Sequence, residues 1–282
     1  MTATLDPETL SRWIGKRETA QDRIDAGPAR RMELTLDREA RLGDGDALPP
    51  LWHWLYFLQT ARMSALGRDG HPAKGGFLPP VALPRRMWAG GRFGFSQPLV
   101  LGTEATKTST IKDVAVKQGR SGALCFVTVR HEVASNAQSA FWEEHDIVYR
   151  EDSGPDAPPA APTPEIGDDW ETVETVTPSE VLLFRYSALT FNGHRIHYDR
   201  DYATGVEGHA GLVVHGPLIA TLLVDLAQRV MGRAPLAFDF RAMSPLFDTA
   251  PFNIHARTEG DEVTLAAATP QGRLAMQAKA RF

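Results

Sequence analysis

Two neighbouring segments of this 282-residue chain hold residues that could move a proton beside a polarised carbonyl. The first is Arg185 to Asp201, RYSALTFNGHRIHYDRD; the second is His215-Gly216-Pro217, which opens an apolar run. His197 is the strongest acid/base candidate, because an imidazole titrates near neutrality and can both take and give a proton. Asn192 lies five residues earlier. It can hold a water or a carbonyl but cannot accept a proton at neutral pH. The competing reading is a turn whose Asn and His only satisfy backbone groups.

Gly216 offers a different kind of group. A helix tip exposes unpaired N–H groups and a partial positive charge. Pro217 has no N–H, so the Gly216 amide is the natural donor there, and glycine lets a ligand come close. An oxygen gaining negative charge beside it would be stabilised in advance. An ordinary Gly-Pro helix start is the alternative. A metal reading of His194, His197, Asp199 and Asp201 lacks the separated second ligand pair of most zinc sites, so no metal is expected. His209 reads as a solvated loop residue. Trp52, His53, Trp54 and Tyr56 read as packing. The Gly/Pro-rich loop from His71 to Pro84 carries no phosphate-binding signature.

Elements must position these groups. Pro217 to Met231 has helical composition, with Pro217 at the first position and Gly232 at the exit. It is apolar on most sides, which predicts a buried helix. Strands are expected at Thr172–Val176, Val181–Leu189, Leu236–Met243, Phe252–Thr258, Glu262–Thr269 and Arg273–Phe282; the last alternates cleanly. In the first half, helices are expected near Pro7–Lys16 and Ala29–Ala40. Strands are expected there at Leu99–Thr110, Ile111–Gln118, Ala123–Glu132 and Phe141–Tyr149. The shared order of a helix, then long antiparallel strands, is a faint internal repeat. EDSGPDAPPAAPTPEIGDD, residues 151–169, is too poor in large apolar side chains to pack a core and reads as a linker between 1–150 and 170–282.

Composition bounds the rest. Hydrophobic content of 43% and charged content of 23% suit a globular protein with a core. A net charge of -5 argues against a nucleic-acid surface. No run approaches the length of a membrane span, and the N-terminus has no apolar signal region. The single cysteine, Cys125 in LCFVTV, reads as a core filler and suits a reducing compartment. A cytoplasmic protein is expected.

YSALTFNGHRIHYDRDYA followed by GLVVHGPLIATLL resembles the motif of the MaoC-like, R-specific enoyl-thioester hydratases. The string FNGHRIHYD is most similar to the mesaconyl-C4-CoA and itaconyl-CoA hydratase branch; mitochondrial 3-hydroxyacyl-thioester dehydratases look similar. The resemblance implies an α+β double hotdog, each half a long helix wrapped by an antiparallel sheet. PLWHWLYF and EEHDIVYRE resemble the first, catalytically silent hotdog, with the aromatic cluster as an alternative acyl-pocket wall. Residues 1–150 would be that half and 170–282 the catalytic one. It further implies His197 as the catalytic imidazole and Gly216, of the His215-Gly216 pair, as oxyanion donor. Asn192 stands where most members have Asp, and His194 where they have Asn. Proton work would then fall on His197, with Asn192 orienting the water.

The implied reaction is water addition to a short, branched, carboxylated enoyl-CoA, with no cofactor beyond the CoA of the substrate. Arg195, then Arg185, are the expected partners of the extra carboxylate. His194, His215 and Ser187 complete the expected substrate-binding set. A fatty-acid-type 3-hydroxyacyl dehydratase, a thioesterase on the same fold and a non-catalytic acyl-thioester binder are the rivals. A homodimer is a further expectation.

Overall fold

One antiparallel sheet of ten strands organises the molecule. The computed structural model describes residues 5–119, 122–151, 163–167 and 169–282. Residues 152–162 and 168, most of the expected linker, lie outside the described residues. In chain order the elements are α1 (Pro7–Ser11), β1 (Arg17–Arg23), α2 (Ala26–Thr35), β2 (Arg85–Phe95), β3 (Glu104–Gly119), β4 (Gly122–Ser135) and β5 (Gln138–Arg150). There follow β6 (Thr172–Val176), α3 (Glu180–Leu189), α4 (Gly216–Met231), β7 (Ala237–Ala242), β8 (Phe252–Glu259), β9 (Glu262–Ala268) and β10 (Leu274–Arg281).

The strand order is β1-β3-β4-β5-β2-β7-β10-β9-β8-β6. Read from its two ends inward, it pairs β1 with β6, β3 with β8, β4 with β9, β5 with β10 and β2 with β7. The faint repeat in the sequence is thus a twofold plan in space. Its seam is the β2–β7 ladder, Gly90–Gly94 against Arg241–Ala237. A Cβ at Gly90 would sit 2.6 Å from the Phe240 carbonyl oxygen, so the seam closes only around glycine there.

The halves differ in what fills them. In the second, α4 lies across β8, β9 and β10 and buries Leu218, Ile219, Leu223, Val224 and Leu226. The strands answer with an apolar face that includes Phe252, Ile254, Val263, Leu265, Met276 and Ala278. Gly232, at φ 70°, ends the helix in the left-handed conformation glycine favours. In the first half, one turn of 3-10 helix, Trp52–Leu55, follows α2, itself only 10 residues long. The inner face of β3–β5 is then apolar at both ends and polar between. Ala105, Val133 and Phe141 join the main core, which runs through both halves. Ile111, Val127, Cys125 and Tyr149 form a second core, closed over by Leu10 of α1 and by Val81 and Leu83. Between them, buried Glu143 lies 3.1 Å from His53 Nε2, 3.1 Å from Trp54 Nε1 and 2.8 Å from His145 Nε2. Burial raises the Glu143 pKa, but its two histidines outweigh that and hold it well below the carboxylate range.

Several expectations need correction. Val181 to Leu189 is not a strand but lies within α3. The Ser179 hydroxyl caps it by accepting the Leu182 N–H, and Glu180 sits in the favourable first turn. A short apolar run cannot be told from a strand by pattern alone. From Glu104 onward, the expected strands Leu99–Thr110 and Ile111–Gln118 merge into β3, with a register shift between Ile111 and Asp113; residues 99–103 precede it, outside the strand. Strands β1 and β2 were missed: β1 is a mostly exposed, polar edge and β2 is interrupted by glycines. Among the described residues, no helix is long and apolar enough to cross a membrane.

Leu223 is fully buried where α4 meets the sheet. Leu223→Ala should cost about 2–5 kcal/mol of unfolding free energy. Urea titration would show it as a lower midpoint at unchanged slope.

Candidate active site

Helix α3 ends by carrying Tyr186 and Ser187 into the core. Phe191, at φ 50°, then turns the chain sharply. The Asn192 N–H donates to the Ser187 carbonyl at 2.8 Å, and Asn192 Oδ1 accepts the His194 N–H at 3.0 Å. Its oxygen is therefore spent on the turn, and its amide NH2 group is what it can present to a ligand.

A 3-10 turn, Arg195–His197, follows and buries His197. The His197 Nδ1 lies 2.7 Å from the Val213 carbonyl oxygen. A carbonyl only accepts, so Nδ1 carries the hydrogen and Nε2 keeps a free lone pair. The His215 ring stacks on His197 at 3.7 Å with an 18° tilt. His215 is itself wholly buried, with Nε2 2.8 Å from Ser187 Oγ and Nδ1 without a partner. Burial, partly offset by the Val213 bond, brings the His197 pKa down to about 4; burial and the neighbouring imidazoles push His215 well below its ordinary value. Both rings are neutral at pH 7.

One residue beyond His215, α4 begins at Gly216. Among the described residues its N–H has no acceptor. A Cβ built there would meet nothing closer than the Met276 methyl at 4.0 Å, so the helix tip faces open space. The neutral His197 ring is thus stacked on His215, the residue that directly precedes the free helix-tip N–H of Gly216.

The first half of the chain reaches this centre through Arg68–His71. The Arg195 N–H donates to the Asp69 carbonyl at 2.9 Å, and Arg195 Nη1 to the Arg68 carbonyl at 3.2 Å. Gly70, at φ 87°, lies so close that a Cβ would sit 1.9 Å from the Gly193 oxygen. This docking sets the His71 ring 4.2 Å from that of His194, which stands edge-on to His197 at 5.4 Å. The Asp69 carboxylate lies 2.9 Å from His71 Nδ1. Burial would raise Asp69, but its bonds to His71 prevail and keep it ionised. Burial lowers His71 and His194 alike; Arg86 lowers both further.

The sequence-predicted residues divide accordingly. His197, His215, Gly216, Ser187, His194 and Asn192 come together. Arg195 is engaged elsewhere: its Nε and Nη2 bind Asp199 Oδ2 at 2.9 and 2.8 Å, and it stacks 4.1 Å over Tyr202. Arg185 is exposed on α3 and forms no ion pair among the described residues. Asp69 and His71 were missed; a histidine opening a Gly/Pro-rich loop was the only signal. His194 does meet metal-ligating types, but with Asp69 and His71 rather than Asp199 or Asp201; their donor atoms lie within 4.8 Å of one another. His209 is half-buried, its ring 5.9 Å from Phe247.

Residues 51–248 match the family model described as hydroxyacyl-thioester dehydratase type 2. The chain is 48% identical over 269 residues to mesaconyl-C(4)-CoA hydratase of Chloroflexus aurantiacus, covering 94% of this chain and 95% of that one. It is 28% identical to the mitochondrial hydroxyacyl-thioester dehydratase type 2 of Schizosaccharomyces pombe, over 74% and 77% of the two chains. Among solved structures, a MaoC-like dehydratase superposes with a TM-score of 0.70 at 15% identity, over 95% of this chain and 98% of that one. A Mycobacterium tuberculosis protein with a double hotdog fold does so with a TM-score of 0.58 at 14% identity, over 95% and 96%. The ten-stranded sheet is thus a double hotdog.

Two outcomes follow from the geometry. Gly70→Ala must push Arg68–His71 off the loop that carries Gly193 and His197. It should lower turnover by tenfold or more and stability by about 1 kcal/mol or more, read by steady-state kinetics and thermal melts. For pH, His197 falls from 6.5 to about 4 on folding. Below pH 6.5 the unfolded chain takes up a proton that the folded one refuses until about pH 4. Melting temperature should therefore fall as pH drops through this window. His197→Gln should remove a share of up to about 3 kcal/mol.

Proposed function

Because the chain belongs to the hydroxyacyl-thioester dehydratase type 2 family of MaoC-like hotdog proteins, we propose that it is a hydratase of a short, branched enoyl-CoA bearing a free carboxylate, of the mesaconyl-C4-CoA type. It is a carbon–oxygen lyase. The likeness to mesaconyl-C(4)-CoA hydratase along nearly the whole chain carries this reading. The second half, residues 170–282, is the catalytic hotdog in it, and the first half supplies a wall of the site.

The reaction divides among few groups. The thioester oxygen would accept from the Gly216 N–H at the tip of α4. A water held by the Asn192 amide and by His197 Nε2 would attack Cβ. As the oxygen–carbon bond forms, one O–H bond breaks and its proton passes to Nε2. The π pair moves toward Cα, and the charge collects on the thioester oxygen at Gly216. The imidazolium then returns its proton to Cα, which restores neutral His197 and completes the addition of one water. Dehydration is the same path reversed. The low pKa makes His197 a weaker base, yet keeps it unprotonated throughout the physiological range. The Val213 carbonyl holds its tautomer in both directions.

Acyl-CoA is the partner in this reading, with CoA entering as part of the substrate and no other cofactor required. Both halves of the site come from one chain, so a homodimer is compatible but not needed. The single thiol, Cys125, is buried and pushed up to about 11 by burial, so it takes no part in this reaction.

Mass spectrometry of mesaconyl-C4-CoA incubated with the protein should show a gain of one water and no free CoA thiol. His197→Ala should lower kcat by about 100-fold or more while the fold persists. Full activity in a folded His197→Ala protein would overturn the mechanism, and release of CoA thiol would favour a thioesterase.

A further inference from the structure

A substrate with a free carboxylate needs a cation near the reacting carbon, and the two arginines beside the motif are not available. Arg195 is bound to Asp199, and Arg185 stands exposed on α3. The far side of His71 offers something different. Arg86, the second residue of β2, lies directly opposite Tyr149 of β5 in the antiparallel ladder. Directly opposed residues share a face, with Cβ atoms about 5 Å apart. Tyr149 belongs to the inner face: it is fully buried in the second core. Arg86 therefore enters from the same side.

Three features make this corner unusual. The Tyr149 hydroxyl is buried, and the Arg86 side chain lies within reach of it. Lys74 Nζ lies 5.4 Å from the centroid of the same tyrosine ring and donates to the Leu83 carbonyl. Arg86 is half-buried and forms no ion pair among the described residues. The neighbouring carboxylate, Asp69, is committed to His71. A half-buried guanidinium with a phenol beside it but no carboxylate lacks a counter-charge, which is unfavourable. One incoming anion would supply it. Arg86 is close enough for its charge to act on His71 and His194, whose rings lead directly to His197.

We propose that Arg86, with Lys74 and the Tyr149 hydroxyl, forms the specificity site that receives the free carboxylate of the substrate. The site rests on the hydratase reading above and adds to it the residues that choose a carboxylated acyl group over a plain one. Arg86 supplies a planar fork that can bind a carboxylate through two parallel hydrogen bonds. Lys74 adds charge, and Tyr149 a neutral donor. The corner belongs to the first half of the chain, while the groups that move the proton belong to the second. Selectivity and chemistry would thus be divided between the two hotdogs.

The test compares two unreactive saturated thioesters, succinyl-CoA and butyryl-CoA, by isothermal titration calorimetry on the full chain. Wild-type protein should bind succinyl-CoA at least tenfold more tightly than butyryl-CoA. Arg86→Met should erase that preference while leaving butyryl-CoA affinity within threefold, and Arg86→Lys should restore part of it. Tyr149→Phe should cost a few-fold in succinyl-CoA affinity alone. Because preference is a ratio within one preparation, a partial folding defect cannot imitate its loss. A wild-type protein that binds both esters equally would overturn the site, as would an Arg86→Met protein that keeps the preference. Binding of neither ester would overturn the hydratase reading with it. Hydration of mesaconyl-C4-CoA with the preference intact in Arg86→Met would spare that reading and sink only this site.

Discussion

The bond from His197 Nδ1 to the Val213 carbonyl, 2.7 Å long, sets the tautomer and orientation on which the proposed centre depends. It decides which ring nitrogen carries the hydrogen, and so which one faces the ligand with a lone pair. It also fixes the ring in the plane that lets His215 stack on it. The strand-like backbone on either side is held for the same purpose. The Val213 N–H donates to the Ile196 carbonyl at 2.9 Å, and the Val214 N–H to Leu246 at 2.8 Å. The loop before α4 is therefore a short clamp tying the base to the helix tip. In the proposed reaction, a fixed base beside a fixed oxyanion donor would avoid reorganisation as the bonds change. Burial of two stacked imidazoles disfavours the charged form by about 3 kcal/mol at His197, and this keeps the base ready.

The two halves solve one architectural problem in opposite ways. A curved antiparallel sheet must cover its inner face, and in the second half a 16-residue apolar helix does so. In the first half a single 3-10 turn and the segment after it take that place, and the inner face carries Lys107, Ser109, His131, Glu143 and His145 in a belt. A buried carboxylate is tolerated only when fully bonded, and Glu143 has His53, Trp54 and His145 around it. Freed from carrying a long central helix, the first half can extend Arg68–His71 across to the partner half. The shortness of the helices in the first half and the second wall it lends the site are two aspects of one arrangement.

Much of this was legible in the sequence, for physical reasons that differ by element. Helix α4 and the strands β8, β9 and β10 announce themselves because each buries one face, and the period of the apolar residues reports it. The Asn192, His197 and Gly216 constellation was legible because its members lie within 25 positions of one another. Helix α3 was not: a nine-residue apolar run fits a buried strand or helix alike, and its cap, Ser179, lies just outside the run. The seam strand β2 was hidden by the glycines that let it approach β7. Asp69, His71 and Arg86 were beyond reach, because they meet the motif only through main-chain docking more than 100 positions away in the chain.

That separation bears on how the missing motif carboxylate should be understood. A carboxylate at position 192 would sit on the same turn as His197 and act within one loop. With Asn192, the oxygen at this position is absorbed by the His194 N–H, and the turn gains rigidity instead of a charge. The ionised group near the centre is then Asp69, delivered from the other half and buffered by His71. Moving the negative charge one imidazole further away has an electrostatic consequence. A carboxylate on the substrate would be repelled by an anion at position 192. At a few ångströms that like-charge repulsion amounts to about 1–4 kcal/mol at the effective dielectric of a partly exposed site. A neutral Asn removes the repulsion and leaves two amide hydrogens. Within the proposed reading, Asn192 thus suits a carboxylated substrate better than an Asp would.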